Sequence, residues 1–326
     1  MSDIQDRINE GEVEQIRSVV GAIEESIQKV FVGKESVIRL LLTGFVAGLH
    51  VLIEDVPGVG KTTLARTLSA GLGLDFSRIQ FTPDLLPGDI VGMNIWNQVS
   101  NEFVFKSGAI MHQFILADEI NRASPRTQSS LLEAMQEESV TVDGITYKLP
   151  EPFFVVATQN PSSFTGSFHL PEGEIDRFGI SFSIGYPGQN DEREILRRFQ
   201  DDDPITGVTP SATPDDIAHI RGLVRKVHVS DAIRDYIIFI TKSTRESKAL
   251  YLGASPRGSQ HLQRAAQGRA VLEGRNFVIP EDVMALAVPV LAHRVILSAE
   301  AKMKGITLEE VVSGIVEEKP VPVGIE

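Results

Sequence analysis

The sequence predicts an α/β fold in which a parallel sheet lies between helices, followed by a smaller all-helical unit. Three observations carry that expectation. Short apolar runs alternate with helical periods through the first half of the chain, the rhythm of a parallel sheet covered on both faces. A glycine-rich turn joins one such run to a helix. Beyond residue 187 the strand signals stop and helical periods take over.

Residues 13–30 place Val13, Ile16, Val20, Ile23, Ile27 and Val30 at steps of three and four, the stripe of an amphipathic helix that docks on a core. The apolar stretch 37–53 carries Arg39 and His50 and runs into the glycine-rich turn, so it reads as core and not as a membrane span. Residues 49–53 form the strand that launches the turn, and 61–72 the helix behind it, closed by Gly73. Runs at 77–81, 114–117, 153–158 and 180–184 supply further strands, with a helix at 125–137. Two segments interrupt this rhythm. Residues 93–105 alternate polar and apolar around Ser100 and Asn101, and 139–149 do so around Asp143-Gly144, a strong hairpin dipeptide. Both are expected to project from the core as hairpins. Helical periods then occupy 191–200, 214–227, 231–247, 255–273 and 280–302, which divides the chain into an α/β unit at 1–187 and a helical unit at 188–326. The tail from Glu317, with Pro320 and Pro322, is expected to fray.

The chain has 326 residues, no cysteine and a net charge of −13. Without cysteine there are no disulfides, thiolate nucleophiles or thiolate metal sites, which fits a reducing cytosol. The first residues lack the basic-then-apolar pattern of a signal peptide, so a cytoplasmic protein without a membrane span is expected. The acidic balance opposes non-specific attraction to nucleic acid, because neutralising phosphates needs clustered Lys and Arg. The most basic stretch, around Arg221, Arg225 and Lys226, has helical spacing and reads as a solvated helix face. His50, His112, His169, His219, His228, His261 and His293 show no metal spacing and read as core or surface residues. Trp96, in the first hairpin, reads as a packing residue, with a partner contact as the alternative.

Three segments could carry chemistry. In Pro57-Gly58-Val59-Gly60-Lys61-Thr62, a glycine-rich turn between strand and helix can aim backbone N–H groups at phosphates, with Lys61 as a point charge and the Thr62 hydroxyl within reach of a metal. A strict phosphate loop has glycine six residues before the lysine, where this chain has Asp55. In the second segment, the apolar run ending at Asp118 and Glu119 describes a buried strand whose carboxylates emerge at its C-terminal edge, where open α/β sheets bind ligands. Asp118 would hold Mg²⁺ and Glu119 would polarise the attacking water. The bland alternative is an acidic helix cap. Asn160 closes another buried strand and could contact a γ-phosphate or the water, with Thr158 a weaker candidate; Asn before Pro161 is also a routine turn. In this order the segments point to ATP hydrolysis.

The runs 116–123 (Leu-Ala-Asp-Glu-Ile-Asn-Arg-Ala) and 128–135 (Gln-Ser-Ser-Leu-Leu-Glu-Ala-Met) resemble the MoxR family of AAA+ ATPases. The resemblance extends from Val32-Gly33 through 82–87, 157–161 and 170–178 to 253–257. It implies an AAA+ P-loop core followed by a helical lid, and an assembly of identical subunits in a ring, expected to be a hexamer. It places Val32 and Gly33 near adenine, with Pro57, Gly58, Val59, Gly60, Lys61, Thr62 and Thr63 around the phosphates and Thr62 and Asp118 at the metal. By the same resemblance Glu119 and Asn160 act as above, Arg177 is an arginine finger offered to the neighbouring subunit, and Arg257 reaches from the lid to the phosphates of its own subunit. Relatives carry two inserted hairpins, matching the two interruptions. The family implies protein clients, including metal-cofactor enzymes, and a separate von Willebrand A domain partner. A nucleic-acid motor and a magnesium-chelatase-like motor subunit remain as alternative readings. Both hairpins are expected to touch a protein substrate.

Overall fold

The structure, a computed structural model, describes residues 7–160, 168–200 and 203–318. Pro161 of the third segment, and Pro320 and Pro322 of the expected frayed tail, lie outside the described residues.

Helix α1 (Glu10–Val30) buries the six residues of its predicted stripe. Asn9 starts it through a reciprocal cap, Oδ1 accepting the Glu12 N–H at 2.9 Å while the Glu12 carboxylate accepts the Asn9 N–H at 2.8 Å. Helix α2 (Glu35–Val46) occupies most of the stretch that the sequence marks only as core. Strand β1 (Val51–Glu54) leads through the glycine-rich turn into α3 (Lys61–Leu72), and Gly73 ends that helix in the left-handed region at φ 64°. Strand β2 (Phe76–Gln80), a short α4 (Pro87–Val91), the hairpin β3 (Gly92–Asn97) and β4 (Glu102–Ser107), and β5 (Phe114–Asp118) follow. Helix α5 (Pro125–Glu137), the hairpin β6 (Ser139–Val142) and β7 (Ile145–Lys148), β8 (Phe154–Gln159), a short α6 (Glu172–Ile175) and β9 (Ile180–Phe182) complete the α/β part.

Five strands form one sheet in the order β2-β5-β8-β1-β9, every neighbouring pair parallel. Alternate side chains divide its two faces. Val51, Ile53, Phe114, Leu116, Phe154 and Val156 pack with α1, α2 and α3. Leu52, Ile115, Ala117, Val155 and Ala157 pack with Leu131 and Leu132 of α5. Burial of each Val, Leu, Ile or Phe among them contributes about 1.5–3 kcal/mol, so the central strands are held in register from both sides. Because all five strands run the same way, their C-terminal ends share one edge, where Asp118, Glu119, Thr158 and the glycine-rich turn lie.

The two hairpins stand off the sheet and are joined to each other. The Phe105 and Tyr147 rings stack with centroids 4.0 Å apart, and Asn94 Nδ2 donates to Asp143 Oδ2 at 2.7 Å. Trp96 packs edge-to-face on Phe103 at 5.2 Å, yet the two remain 51% and 71% exposed. Ile95, Val99 and Val104 are exposed beside them.

The helical part comprises α7 (Gln189–Arg198), α8 (Pro214–Val224), α9 (Asp231–Glu246), strand β10 (Leu250–Leu252), α10 (Pro256–Leu272), α11 (Pro280–Leu291), strand β11 (Ile296–Leu297), α12 (Ala299–Met303) and α13 (Leu308–Glu317). Three expectations are corrected. The helix predicted across 280–302 stops at Leu291, because Arg294 turns inward onto main-chain carbonyls and the next residues extend to pair antiparallel with β10. Strand signals therefore do not cease after residue 187. Arg221 does not lie on a solvated face: its guanidinium sits 4.7 Å from the Phe45 ring centroid and donates to the carbonyls of Phe45 and Phe153. No helix among the described residues is long and apolar enough to cross a membrane.

Candidate functional site

The turn between β1 and α3 needs glycine for physical reasons. Gly58 and Gly60 have φ of 86° and 91°, and a Cβ on Gly60 would come within 3.1 Å of the Phe31 ring. Gly60 N-caps α3 without a side-chain bond, so the first N–H groups of that helix face the turn. Lys61 is buried at 8% exposure and its Nζ donates to the carbonyl of Asp55 at 2.7 Å. Burial pulls the Lys61 ammonium below the usual lysine range, while Asp118, Asp55 and Glu119 push it back up.

Beside the turn is an apolar cavity of about 220 Å³. Val32, Gly58, Val59, Gly60 and Thr63 line it, together with Phe31, Ile184, Gly185, Ile195 of α7 and Phe199 just past that helix. Gly33 follows Val32 at φ 71°, and a Cβ there would meet the Asp191 carboxylate at 2.8 Å. Arg198 fastens α7 to the end of α1 through the carbonyls of Gln28 and Lys29 at 2.6 and 2.8 Å. A flat apolar base can enter this space while its phosphates extend toward the α3 terminus. Pro57, Lys61 and Thr62 border the turn without lining the cavity.

At the end of β5, Asp118 and Glu119 are both held by Thr158 of β8, which is fully buried. Its Oγ1 donates to Asp118 Oδ1 at 2.6 Å and accepts the Glu119 N–H at 2.8 Å. The other Asp118 oxygen receives Arg78 of β2, Nη2 at 2.6 Å and Nε at 3.2 Å. Glu119 has φ of 56°, a left-handed conformation that is costly for a non-glycine residue and concentrated at functional sites. Its Oε2 accepts from Arg122 Nη1 at 2.8 Å and Gln80 Nε2 at 3.2 Å. Asn160 follows β8, and its carbonyl accepts from Asn121 Nδ2 at 3.2 Å. The pairing β5 to β8 to β1 thus brings Asp118, Glu119, Thr158 and Asn160 to the edge that bears Lys61 and Thr62.

Arg177 and Arg257 lie elsewhere. They line a second cavity, about 170 Å³, with Gly48, His50, Gln136, Glu138, His261 and Arg264. Gly48 and His50 precede β1, whereas the phosphate loop follows it, so the two cavities occupy opposite ends of that strand. Arg177 Nη1 donates to the Leu132 carbonyl at 2.6 Å, and its Nε is buried without a partner. Arg257 Nη2 donates to Gln136 at 3.3 Å, and Nη1 is 3.9 Å from Asp176. The expectation that Arg257 reaches its own subunit's phosphates is not met in this arrangement.

A buried network stands behind this second cavity. The Arg294 side chain has no solvent exposure. It donates to the Val290 carbonyl at 2.6 Å, to the Asp176 carbonyl and Oδ1 at 2.7 Å each, to the Phe178 carbonyl, and to His261 Nδ1 at 2.7 Å. Ser255 Oγ adds a donor to Asp176 at 2.9 Å. Burial and the Arg294 charge push His261 down to about 2 and His293 down to about 3; burial takes His50 to about 4. All three are neutral near pH 7. Among the described residues, no group of three or more His, Cys, Asp and Glu could hold a metal.

Sequence reasoning missed Arg78, Gln80 and Arg122 as partners of the two acids, and had Thr158 only as a weaker phosphate contact. For Arg78 and Gln80 the signal was period two on β2, where they flank buried Ile79, but it becomes informative only once β2 pairs with β5.

Comparison with known proteins gives a consistent picture. Residues 50–180 match the ATPase family associated with various cellular activities (AAA), and residues 242–315 match the AAA lid domain. The chain is 46% identical over 310 residues to the uncharacterized protein YeaC of Bacillus subtilis, covering 95% of this chain and 97% of that one. It is 37% identical to the chaperone MoxR1 of Mycobacterium tuberculosis, covering 96% and 85% respectively. A crystal structure from Cytophaga hutchinsonii superposes with a TM-score of 0.89 at 37% identity, over 96% of this chain and 98% of that one.

Proposed function

The chain belongs to the MoxR family of AAA+ ATPases, and from that premise we propose that it is a Mg²⁺-dependent, cytoplasmic ATPase. It works as a chaperone in a hexameric ring that remodels or activates protein complexes, metal-cofactor enzymes among them. The observation that carries this reading is the pair Asp118 and Glu119, held by one buried threonine at the sheet edge that also bears Lys61.

Thr62 and Asp118 suit Mg²⁺, which takes oxygen ligands and needs one or two from the protein when phosphates and water supply the rest. The Asp118 carboxylate already has one oxygen on a hydroxyl and the other on a cation, Arg78. Bound there, the ion would neutralise charge on the phosphates. Lys61 adds a point charge on the same phosphates. Arg122 and Gln80 fix the Glu119 carboxylate, whose task is to accept a proton from the attacking water, a contribution of about 10²- to 10⁴-fold. Asn160 orients that water or the γ-phosphate.

Arg177 and Arg257, at the far end of β1 from their own loop, act together on the ATP of a neighbouring subunit. An arginine so placed is worth about 10³- to 10⁵-fold, so ATPase activity should rise steeply with protein concentration. The hairpins touch the client through Trp96, Phe103 and the apolar residues beside them, and any von Willebrand A domain partner is a separate chain. Glu119→Gln tests the core of the proposal. The variant should bind ATP as tightly as the parent, lose turnover and retain its client. Hydrolysis at the parental rate would remove Glu119 from its role.

A further inference from the structure

Where a strict phosphate loop begins with glycine, this chain has Asp55, and the structure gives that departure a task. Asp55 is 7% exposed. Its Oδ1 accepts the N–H of Val56 at 2.7 Å, and its Oδ2 accepts two more, from Ile184 at 2.7 Å and Gly185 at 2.6 Å. Val56 belongs to the phosphate loop. Ile184 and Gly185 lie just past β9, where the chain leaves the sheet for α7, and both form the wall of the 220 Å³ cavity. The main chain of Asp55 is used as well, its N–H donating to the Gln159 carbonyl at 3.0 Å and its own carbonyl accepting Lys61 Nζ at 2.7 Å.

Glycine could supply the main-chain bonds but not the carboxylate. Three N–H groups converge on that carboxylate, and two of them come from a segment 129 and 130 residues away in sequence. Bonds to an ionised acceptor are about twice as strong as neutral ones. They join the part of the site that would hold phosphates to the part that would hold the base, and neither part contacts the other through Asp55 once the carboxylate is gone. We propose that Asp55 is a positioning residue that clamps the phosphate loop to the exit segment 184–185, so that the phosphate cradle and the base cavity keep one fixed spacing. The inference rests on the nucleotide-binding reading. A ligand that spans both parts gains from the clamp; a ligand confined to one does not.

The test compares full-length parent, Asp55→Gly and Asp55→Asn for binding of ATP, adenosine and tripolyphosphate, each measured by competition with a fluorescent ATP analogue. Asp55→Gly restores the strict loop pattern, yet ATP affinity should fall about 10- to 100-fold, a fraction of what the two charge-assisted bonds to 184–185 are worth. Tripolyphosphate, which meets the loop alone, should change less than about threefold, whereas adenosine, whose cavity is walled by the loop on one side and by 184–185 on the other, should weaken, though less than ATP. Asp55→Asn, which keeps an acceptor oxygen, should fall between. Amide exchange at 184 and 185 should quicken in both variants, with the melting temperature read alongside. Equal losses for all three ligands, or unchanged ATP affinity, would overturn the clamp. Should Asp55→Gly fail to fold, Asp55→Asn carries the same comparison. A parent that binds no ATP would instead overturn the nucleotide reading beneath it.

Discussion

Removing Asp176 should unseat a cation that the fold has taken fully out of water. Arg294 has no exposed side-chain surface, while its partner Asp176 is 17% exposed. Breaking a buried pair by deleting one member costs about 3–5 kcal/mol, because the remaining charge is stranded. Arg294 would still donate to the carbonyls of Val290 and Phe178, to the main chain of residue 176 and to His261 Nδ1. The expected cost of Asp176→Ala is therefore at the low end, about 3 kcal/mol. Urea unfolding followed by circular dichroism at pH 7.5 measures it. Asp176→Leu with Arg294→Met removes both charges and should cost less than the two single changes added together, by about 1–3 kcal/mol. A loss below about 1 kcal/mol for Asp176→Ala, or strict additivity in the double variant, would refute the account of a stranded charge.

Acid should destabilise the fold well above the carboxylate range. His50, His261 and His293 have folded values of about 4, 2 and 3 against 6.5 unfolded, so their contribution is intact above 6.5 and is lost as pH falls below it. At pH 5.5 that amounts to about 1.4 kcal/mol each, and an unfolding free energy unchanged between pH 7.5 and 5.5 would contradict it. Thr158→Val keeps the shape of a buried residue but removes both bonds to the acids. Turnover should drop about 10- to 100-fold with ATP affinity nearly unchanged, and equal kcat in the two proteins would show that Thr158 positions neither carboxylate. Trp96 is the single tryptophan, half exposed on a hairpin, so Trp96→Ala should alter stability by less than about 0.5 kcal/mol. Parent fluorescence should be readily quenched by acrylamide, and a resistant, blue emission would place the ring in a core instead.

Much of the architecture could be read from local patterns. The stripe of α1, Gly73 closing α3, the Asp143-Gly144 turn and the buried strands all announce themselves within a few residues. Helix α2 did not, because 37–46 is apolar on most faces and so hides its period. Helix α13 could have been read, since Thr307 and Glu310 form a capping box. The break after Leu291 could not, because its cause is Arg294 bonding to residues more than a hundred positions earlier. The same holds at the site. Residue types marked Lys61, Asp118, Glu119 and Asn160, but which end of the sheet Arg257 faces, and that Arg78 meets Asp118, depend on strand order and packing.

The joint between the two hairpins has a mechanical consequence. Strand β4 runs on toward β5, which ends at Asp118, and β7 runs on toward β8, which ends just before Asn160. Because Phe105 stacks on Tyr147 and Asn94 bonds Asp143, a pull on the aromatic tip cannot load one branch alone. A displacement of either hairpin is therefore shared with the other, and the shared body leads into two neighbouring strands of the sheet.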